Sequence, residues 1–296
     1  MDDSLKRGIE HYLLKGHNNK TLGIYWDAQE DKIHYSINTT MHAKITNRSV
    51  LSMIPQVFDP LGLMGPVVPK SKLIMQSLWK LKIHWDESDL HTAWVNYRRN
   101  FDIIQNIHIN KQVICSNPQR IELHCFTDAS EAAYGAAVYL RSTDKSGNHH
   151  VGLLCAKTRV ASLKVLSMPR LELCGALLGT RLVGEVISAL GIEFDRIYMW
   201  TDSTIVLSWI AQDSFNYKTF VSNRISEIQE ASKTWTWRHV ETKSNPADII
   251  SRGVNADQLI SYEPWWIGPS WLKMEEESWF KVVKLETPWS QDNILV

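Results

Sequence analysis

The chain carries no net charge, because its 32 Lys and Arg residues are balanced by 32 Asp and Glu residues. No global field therefore draws it to nucleic acid or to a membrane surface, and any phosphate binding must be local. Cysteine is scarce, and the 4 cysteines form no CxxC pair and no zinc-finger spacing with histidine. This excludes a disulfide scaffold and a zinc finger, and it predicts reduced, mostly buried thiols.

Long apolar runs are also missing. The first residues lack the apolar core of a signal peptide, and no run approaches the roughly 18 apolar residues of a membrane span. With 44% hydrophobic and 22% charged residues, the composition is that of an ordinary folded protein and excludes disorder. We therefore expect an intracellular, cytoplasmic protein without a membrane partner, and its 296 residues predict about two domains.

The first region, residues 1–115, is predicted to be mainly helical. Its segments 20–26 and 32–37 alternate well enough to predict a β-hairpin. Apolar residues at helical spacing predict helices over 70–83 and 90–104. No cluster of catalytic residue types occurs in this part of the sequence, which favours a scaffold or a platform for substrate.

The second region, residues 116–255, has the pattern of an α/β domain. Alternation and short buried runs predict five strands, at 121–127, 134–140, 151–157, 196–201 and 234–240. The first three are joined closely enough for an antiparallel meander, and helical periodicity fills the later intervals. The order predicts a mixed five-stranded sheet flanked by helices. Residues 256–296 form a Trp-rich extension, which we expect to pack on the core and to fade into a flexible end.

Four carboxylates are placed at strand ends and helix starts of the second region: Asp128, Glu172, Asp202 and Asp248. Asp128 ends the first strand and Asp202 the fourth, so their positions lie about 5 Å apart if these strands are neighbours. Like charges at one point repel each other, whereas two Mg²⁺ ions about 3.5–4 Å apart require such a set. One metal would activate a water and the other would stabilise the leaving oxygen, which is the chemistry of a nuclease.

Each acid also has an ordinary structural explanation. Asp128 suits a turn, and Glu172 lies in the predicted first turn of a helix, where the macrodipole favours anions. Asp202 or Ser203 suits the N-cap of the helix that follows. Taken singly, none of these acids indicates a site; the joint placement does.

The NPAD segment and the histidine before it carry the same ambiguity. Asn245 would be the N-cap, Pro246 the first helical residue and Asp248 the third, which gives Asp248 a capping role. His239 precedes this segment on a predicted strand. It is either a satisfied histidine beside Trp237 or a mobile proton shuttle close to the metal-bound water.

A run of basic residues without an intervening acid leads into the helix of Glu172: Lys145, Lys157, Arg159, Lys164 and Arg170. A basic loop beside a metal site could grip a nucleic-acid backbone. The candidate contacts are Lys157, Arg159, Lys164 and Arg170, with Ser130 and Ser203 as further ones. The open alternative is a solvated loop.

Several segments carry a family resemblance: FTDAS, RVASLKVLSMPRLEL, MWTDSTIVLSWI, FVSNRISEI and WRHVETKSNPADIISRG. Together they resemble the ribonuclease H region of BEL/Pao-type LTR-retrotransposon Pol polyproteins, closely over residues 121–253. KTLGIYW and VLSMIPQVFDPLGLMGPVVPKSKLIMQSLW resemble the end of the reverse transcriptase, its thumb and connection. WWIGPSWL resembles the stretch ahead of the integrase.

The resemblance implies an RNase H-like fold and endonucleolytic cleavage of RNA in an RNA/DNA hybrid with two Mg²⁺ ions, Mn²⁺ being an alternative. It places the family's metal-binding acids on Asp128, Glu172, Asp202 and Asp248, and its flexible histidine on His239. It also implies the polymerase and integrase parts of a polyprotein as partners, and a virus-like particle as a location. No YxDD motif occurs, so the chain is not expected to polymerise DNA, and neither the DTG motif of an aspartic protease nor the HHCC zinc motif of an integrase is present.

Two other functions stay open. A chain that keeps the fold without turnover would be a nucleic-acid-binding or scaffold remnant of a Pol polyprotein. A DDE-type integrase or transposase shares the fold, but the helix carrying Glu172 and the NPAD helix favour the ribonuclease branch.

Overall fold

The structure is a computed structural model that describes residues 19–21, 24–35, 37, 58–81 and 91–279. The chain forms two compact units. The first comprises Met1–Asp59 and Ile74–Gln112, and the second comprises Pro60–Leu73 and Val113–Val296. The predicted flexible end, from residue 280 onwards, lies outside the described residues.

An antiparallel sheet of four strands is described in the first unit. Its strands, in spatial order, are β1 (Asn19–Thr21), β2 (Ile24–Asp27), β3 (Lys32–Tyr35) and β4 (His108–Asn110). The pairing of β2 with β3 confirms the predicted hairpin.

The helices predicted over 70–83 and 90–104 are confirmed as α1 (Val68–Leu81) and α2 (His91–Ile104). Helix α2 buries Trp94, Tyr97 and Phe101 on one face, with ring centroids 5.6–6.1 Å apart. Their spacing of three and four residues places these rings on one side of the helix.

The second unit is built on a mixed sheet of five strands. These are β5 (Arg120–Ala129), β6 (Ala133–Thr143), β7 (His149–Val160), β8 (Arg196–Thr201) and β9 (Thr236–His239). Their spatial order is β7-β6-β5-β8-β9. The first three pair antiparallel, which confirms the meander, and β8 joins β5 and β9 in parallel. The predicted mixed five-stranded sheet is therefore confirmed.

One face of this sheet is covered by helices α3 (Met168–Leu190), α4 (Thr204–Ile210) and α5 (Thr219–Ala231). Helix α3 begins with Pro169 in its first turn and ends at Gly191, whose φ of 59° suits a left-handed C-cap. Leu182, Val183 and Val186 of α3 pack on the strands, while Leu173 and Leu177 pack against α5.

Helix α3 is also long and apolar enough to cross a membrane by length and composition alone, although the sequence contains no uninterrupted run of that length. Buried core helices pass the same test. Its packing against β5, β6 and α5 accounts for its apolar character.

The opposite face of the sheet is covered by the chain that follows β9. This part contains α6 (Asp248–Arg252), α7 (Ala256–Ser261), α8 (Glu263–Ile267) and short 3₁₀ turns up to residue 278. Trp265, Trp271 and Trp279 are buried, and the rings of Trp271 and Trp279 pack against Trp200 of β8. The predicted packing of the Trp-rich extension is thus seen as far as Trp279, whereas Trp289 lies outside the described residues.

A buried ion pair lies beneath this extension. Arg141 of β6 donates to the carboxylate of Glu122 of β5, and both side chains are almost fully buried. Arg141 also donates to the backbone carbonyls of Leu272 and Met274, at 2.8 and 2.9 Å, so the extension is tied to the sheet by a charged group. The cysteines are free, and Cys115, Cys125 and Cys155 are buried, as predicted.

Candidate active site

The carboxyl ends of β5 and β8 form the edge at which the predicted acids meet. The two strands are neighbours and parallel, with Thr127 opposite Thr201. Asp128 follows Thr127 and Asp202 follows Thr201, so the two acids leave adjacent strands at the same edge, about 5 Å apart by strand spacing. The condition that these two strands are neighbours is therefore met.

Asp128 is the most buried of the acids, with 7% of its surface exposed. The hydroxyl of Ser251 donates to its Oδ2. Burial, together with the negative charges of Asp202 and Asp248, raises the pKa of Asp128 to about 7, against the opposing effect of the Ser251 hydrogen bond. Asp128 therefore lies in a negative, desolvated environment that a cation would relieve.

Glu172 reaches the same edge from α3. Ser203 donates a hydrogen bond of 2.5 Å to its Oε2 and accepts one of 3.2 Å from the backbone N–H of Val206, so one serine caps α4 and holds Glu172. Burial raises the pKa of Glu172, and Asp202 adds to this effect while Ser203 opposes it.

The predicted placement of Glu172 in the first turn of its helix is wrong. Helix α3 begins at Met168, so Glu172 lies just past the first turn, where the macrodipole favours an anion less. Close packing brings it to the edge instead. A Cβ atom at Gly175 would lie 3.0 Å from the carbonyl oxygen of Asp128, so glycine lets α3 approach β5 beside the acid.

Asp248 arrives from the far side on α6. The predicted capping of this helix is wrong, because α6 begins at Asp248 and its N-cap is Ala247. Asn245 forms a local turn instead, its side-chain oxygen accepting from the backbone N–H of Ala247 at 3.1 Å. Its Nδ2 donates to the carbonyl of Thr127 at 3.0 Å, which anchors the segment to β5. Asp248 itself pairs with Arg252, with 2.7 Å between Oδ1 and Nε.

His239 is the last residue of β9 and lies opposite Thr201 in the parallel register. The strand therefore delivers it to the edge that holds Asp202. Its side chain is half-buried. The backbone thus brings all five predicted catalytic residues to one edge of the sheet; the role of each one stays a prediction.

The predicted nucleic-acid contacts divide into two groups. Arg159 and Lys164 are exposed, on β7 and on the loop that leads to α3. Lys157 pairs with Glu185 at 3.0 Å, and the guanidinium of Arg170 lies 5.5 Å from the ring centre of Phe220.

The two serines are engaged within the protein. Ser203 holds Glu172, as described above. The hydroxyl of Ser130 donates to the carbonyl of Ser251 at 2.7 Å and accepts from the backbone N–H groups of Ala132 and Ala133. The structure gives both hydroxyls an internal role, and contact with nucleic acid stays a prediction for them.

Sequence reasoning missed two residues of this edge, Ser251 and Asn245. Both are almost fully buried. The signal available for Ser251 was its position three residues after Asp248, which places both on one side of a helix. For Asn245, the sequence indicated a cap, and only the fold shows that its amide reaches β5.

The donors that this edge offers to a metal ion are carboxylate oxygens. Within residues 91–279 and the shorter described stretches, no three His, Cys, Asp or Glu side chains surround one point as a ready-made metal site. Three of the carboxylates accept from protein donors instead: Asp128, Glu172 and Asp248. Even so, carboxylate oxygens are the ligands of hard divalent cations, and burial, with a smaller effect of Asp202 and Asp248, raises the pKa of Asp128 and disfavours its charged form in the absence of a cation. The donor set therefore fits Mg²⁺ or Mn²⁺.

Comparison with known proteins gives one family match. The model described as the Pao retrotransposon-like RNaseH-like domain matches residues 46–203, more than half of the chain. No curated protein matches the chain. The matched stretch includes Asp128, Glu172 and Asp202, while His239 and Asp248 follow it.

Distant likenesses occur among solved structures. RNase H1 from the halophilic archaeon Halobacterium salinarum NRC-1 is 16% identical, with a TM-score of 0.28 over 43% of this chain and 90% of that one. LC11-RNase H1 in complex with an RNA/DNA hybrid is 11% identical, with a TM-score of 0.32 over 48% of this chain and 100% of that one. The foamy viral protease-reverse transcriptase in complex with an RNA/DNA hybrid is 10% identical, with a TM-score of 0.26 over 57% of this chain and 26% of that one.

Proposed function

Because this chain belongs to the Pao retrotransposon RNaseH-like family and has an RNase H-like fold, we propose that it is an endoribonuclease that cuts the RNA strand of an RNA/DNA hybrid. One observation carries the proposal. Parallel pairing of β5 and β8 places Asp128 and Asp202 at one edge of the sheet, where Ser203 holds Glu172 and Ser251 lies between Asp128 and Asp248. A cluster of this kind is costly unless a cation or a proton balances it.

The residues that would hold the cofactor are Asp128, Glu172, Asp202 and Asp248. Two Mg²⁺ ions, or Mn²⁺ in their place, would lower the pKa of an attacking water and balance the charge on the phosphate. The chain's own contribution is to orient the oxygens: Ser203 fixes Oε2 of Glu172, and Ser251 fixes Oδ2 of Asp128. His239, on the neighbouring strand, would accept or deliver a proton at its imidazole ring.

Substrate binding would use basic side chains that precede Glu172, two of which, Arg159 and Lys164, are exposed. Arg159 and Lys164 leave β7 and the following loop on the way to that acid, and Arg170 lies two residues before it. Contacts of this kind are made to phosphates and weaken as salt increases. Selection of the hybrid would come from its helical shape and its 2′-hydroxyl groups, because these distinguish RNA from DNA irrespective of sequence.

A second candidate function is a binding or scaffold remnant without turnover. The observation that favours it is that three of the carboxylates already accept hydrogen bonds from protein side chains, those of Ser251, Ser203 and Arg252. Such a chain would bind hybrid but would not cut it at any Mg²⁺ or Mn²⁺ concentration.

The test is cleavage of end-labelled RNA in an RNA/DNA hybrid by the purified chain, in EDTA, Mg²⁺ and Mn²⁺. We expect internal cuts in the RNA strand that need the metal and that disappear in Asp202→Asn. The matched control is Asp144→Asn, which changes an aspartate in the β6–β7 turn, outside the candidate site. Binding of hybrid without cuts by the wild-type chain would favour the remnant, and DNA strand transfer would indicate an integrase instead.

The wider context belongs to the same proposal. Residues 1–115 would be a thumb- and connection-like part of a reverse transcriptase, 116–255 the ribonuclease H-like domain and 256–296 a Trp-rich extension. The polymerase and integrase parts of a Pol polyprotein would be partners, in the cytoplasm or in a virus-like particle. Sedimentation of the chain with separately purified polymerase and integrase parts would test this.

A further inference from the structure

Ser251 links the two acids that approach the edge from different elements. Its hydroxyl, on a side chain with 1% exposure, donates to Oδ2 of Asp128 and lies 3.0 Å from the carbonyl oxygen of Asp248. A serine has one hydroxyl proton, and the shorter contact assigns it to Asp128. The hydroxyl of Ser251 thus holds Oδ2 of Asp128, and the position of Ser251 bears on how Asp128 is oriented.

Helix α6, which carries Ser251, is too short to fix its own position. It has five residues, Asp248–Arg252, so its internal hydrogen bonds are few. Ile250 anchors it, because its side chain lies between two glycines. A Cβ atom at Gly135 of β6 would lie 2.6 Å from Cγ2 of Ile250, and one at Gly65 would lie 3.0 Å from its Cδ1. The Ile250 side chain is thus contacted by β6 of the sheet and by a segment that lies far upstream in the sequence.

That upstream segment, Pro60–Leu73, belongs to the second unit although Ile74–Gln112, which follows it in the chain, does not. It is attached to the edge strand β7, whose Ala156 N–H donates to the carbonyl of Leu61 at 2.7 Å. Gly62 has a φ of +70°, and a Cβ atom there would lie 1.8 Å from the carbonyl oxygen of Ala156, so only glycine allows this approach.

The same segment also holds the chain that leaves α6. The carbonyl of Pro66 accepts from the N–H of Val254 at 2.9 Å, and Nζ of Lys70 donates to Oδ1 of Asn255 at 2.8 Å. Both ends of α6 are thereby constrained. Before the helix, Asn245 donates to Thr127 of β5, and after it Val254 and Asn255 contact the segment Pro60–Leu73.

We propose that Pro60–Leu73 is a positioning element of the nuclease site, which acts through Ile250 and Ser251 on the orientation of Asp128 and Asp248. The proposal rests on the proposed function, since it concerns the same acids. It adds that the site is completed by residues that precede the sheet by about 50 positions of sequence. Ser251 is a positioning residue in this scheme, because it acts through Asp128.

The first test compares Ser251→Ala with Ser232→Ala in the full chain. Ser232 is a matched control, because it is also buried and donates to a backbone carbonyl, that of Ile228 at 2.6 Å. We expect Ser251→Ala to weaken Mn²⁺ binding, followed by calorimetry on the metal-free protein, by roughly 10-fold or more. The metal concentration for half-maximal cleavage should rise in parallel, with KM for the hybrid unchanged. Ser232→Ala should leave both unchanged.

The second test addresses the upstream segment. Gly65→Ala would place a methyl group 2.7 Å from the carbonyl oxygen of Gly62 and 3.0 Å from Ile250, and it should weaken Mn²⁺ binding. Gly184→Ala is the control, because a Cβ atom there meets nothing within 4 Å. Ile250→Val removes only the methyl group nearest Gly65 and should give a smaller loss in the same direction, in a chain that folds.

The outcomes separate the two proposals. If the wild-type chain binds Mn²⁺ and cuts hybrid, but Ser251→Ala and Ile250→Val match it in both, the positioning role is overturned and the nuclease stands. If the wild-type chain neither binds Mn²⁺ nor cuts hybrid, the proposed function fails and the positioning role fails with it.

Discussion

Replacing Asp128 by asparagine should stabilise the metal-free chain, and the gain should grow with pH. The pKa of Asp128 is about 7 in the folded chain, against an ordinary value of 3.8. Between these values the folded state binds a proton that the unfolded state has lost, so stability falls as pH rises. Asparagine carries no charge at any pH and is exempt from this loss.

The gain in unfolding free energy follows from the difference between the folded and the ordinary pKa of Asp128. Each pKa unit corresponds to about 1.4 kcal/mol, so ionised Asp128 costs about 4 kcal/mol once the pH exceeds 7. Between about pH 5 and about pH 8, the advantage of Asp128→Asn over the wild type should grow by about 3 kcal/mol. The Ser251 hydroxyl can still donate to the amide oxygen of the variant, so the comparison isolates the charge.

The assay is urea unfolding in EDTA at both pH values, followed by repetition with Mg²⁺. Asp144→Asn is the control with the opposite sign, because hydrogen bonds from Asn148 lower the pKa of Asp144. Its carboxylate stabilises the fold above its unfolded pKa, so its loss should destabilise at neutral pH. Adding Mg²⁺ should stabilise the wild type and not Asp128→Asn. Equal unfolding free energies for Asp128→Asn and wild type at both pH values would refute the reasoning.

Three further predictions concern the frame around the site, and chemical unfolding checks each. Glu122→Gln leaves the buried guanidinium of Arg141 without its carboxylate and should cost about 3 kcal/mol; an unchanged midpoint would contradict it. Gly62→Ala should lower the free energy of unfolding more than Gly147→Ala does, because both glycines have positive φ and, of the two, only Gly62 faces a backbone oxygen. Gly147→Ala should cost about 1 kcal/mol of backbone strain. Equal losses in the two variants would show that the contact of Gly62 with β7 is unimportant. Trp271→Ala should cost about 3–5 kcal/mol, because its ring packs on the sheet; a negligible loss would mean that the extension is dispensable.

Local patterns predicted the elements of the second unit and the meeting point of the acids. Alternation identified β5 and β8, and the joint occurrence of acids at their ends indicated an edge. The parallel register of β5 and β8 meets the condition under which the sequence placed Asp128 and Asp202 about 5 Å apart. The lengths of β5, β6 and β7 were predicted too short, because these strands extend beyond their apolar cores through residues such as Thr143 and His149. The bounds of β8 were predicted correctly, whereas β9 is shorter than predicted.

Other features depend on tertiary contacts between residues distant in sequence, which the spacing of apolar residues does not predict. The docking of Gly62 on Ala156 joins backbone atoms distant in sequence, and its only local sign is a glycine between apolar residues. Nothing in the local sequence distinguishes Ser251 from another helical serine, because its contact with Asp128 of β5 forms only in the folded chain. The capping prediction for Asn245 failed because α6 begins only at Asp248; the side-chain oxygen of Asn245 accepts from Ala247, and its amide N–H reaches the carbonyl of Thr127, a contact that exists only in the folded chain.

Location of Mn²⁺ by anomalous diffraction, in crystals of the chain with a bound RNA/DNA hybrid, tests the central claim most directly. The claim predicts Mn²⁺ at the edge formed by Asp128, Glu172, Asp202 and Asp248, with the RNA backbone beside it, and no peak there in crystals of the Asp128→Asn, Asp202→Asn double variant. Crystals of a cleaving chain that hold Mn²⁺ elsewhere, or none at all, would contradict it.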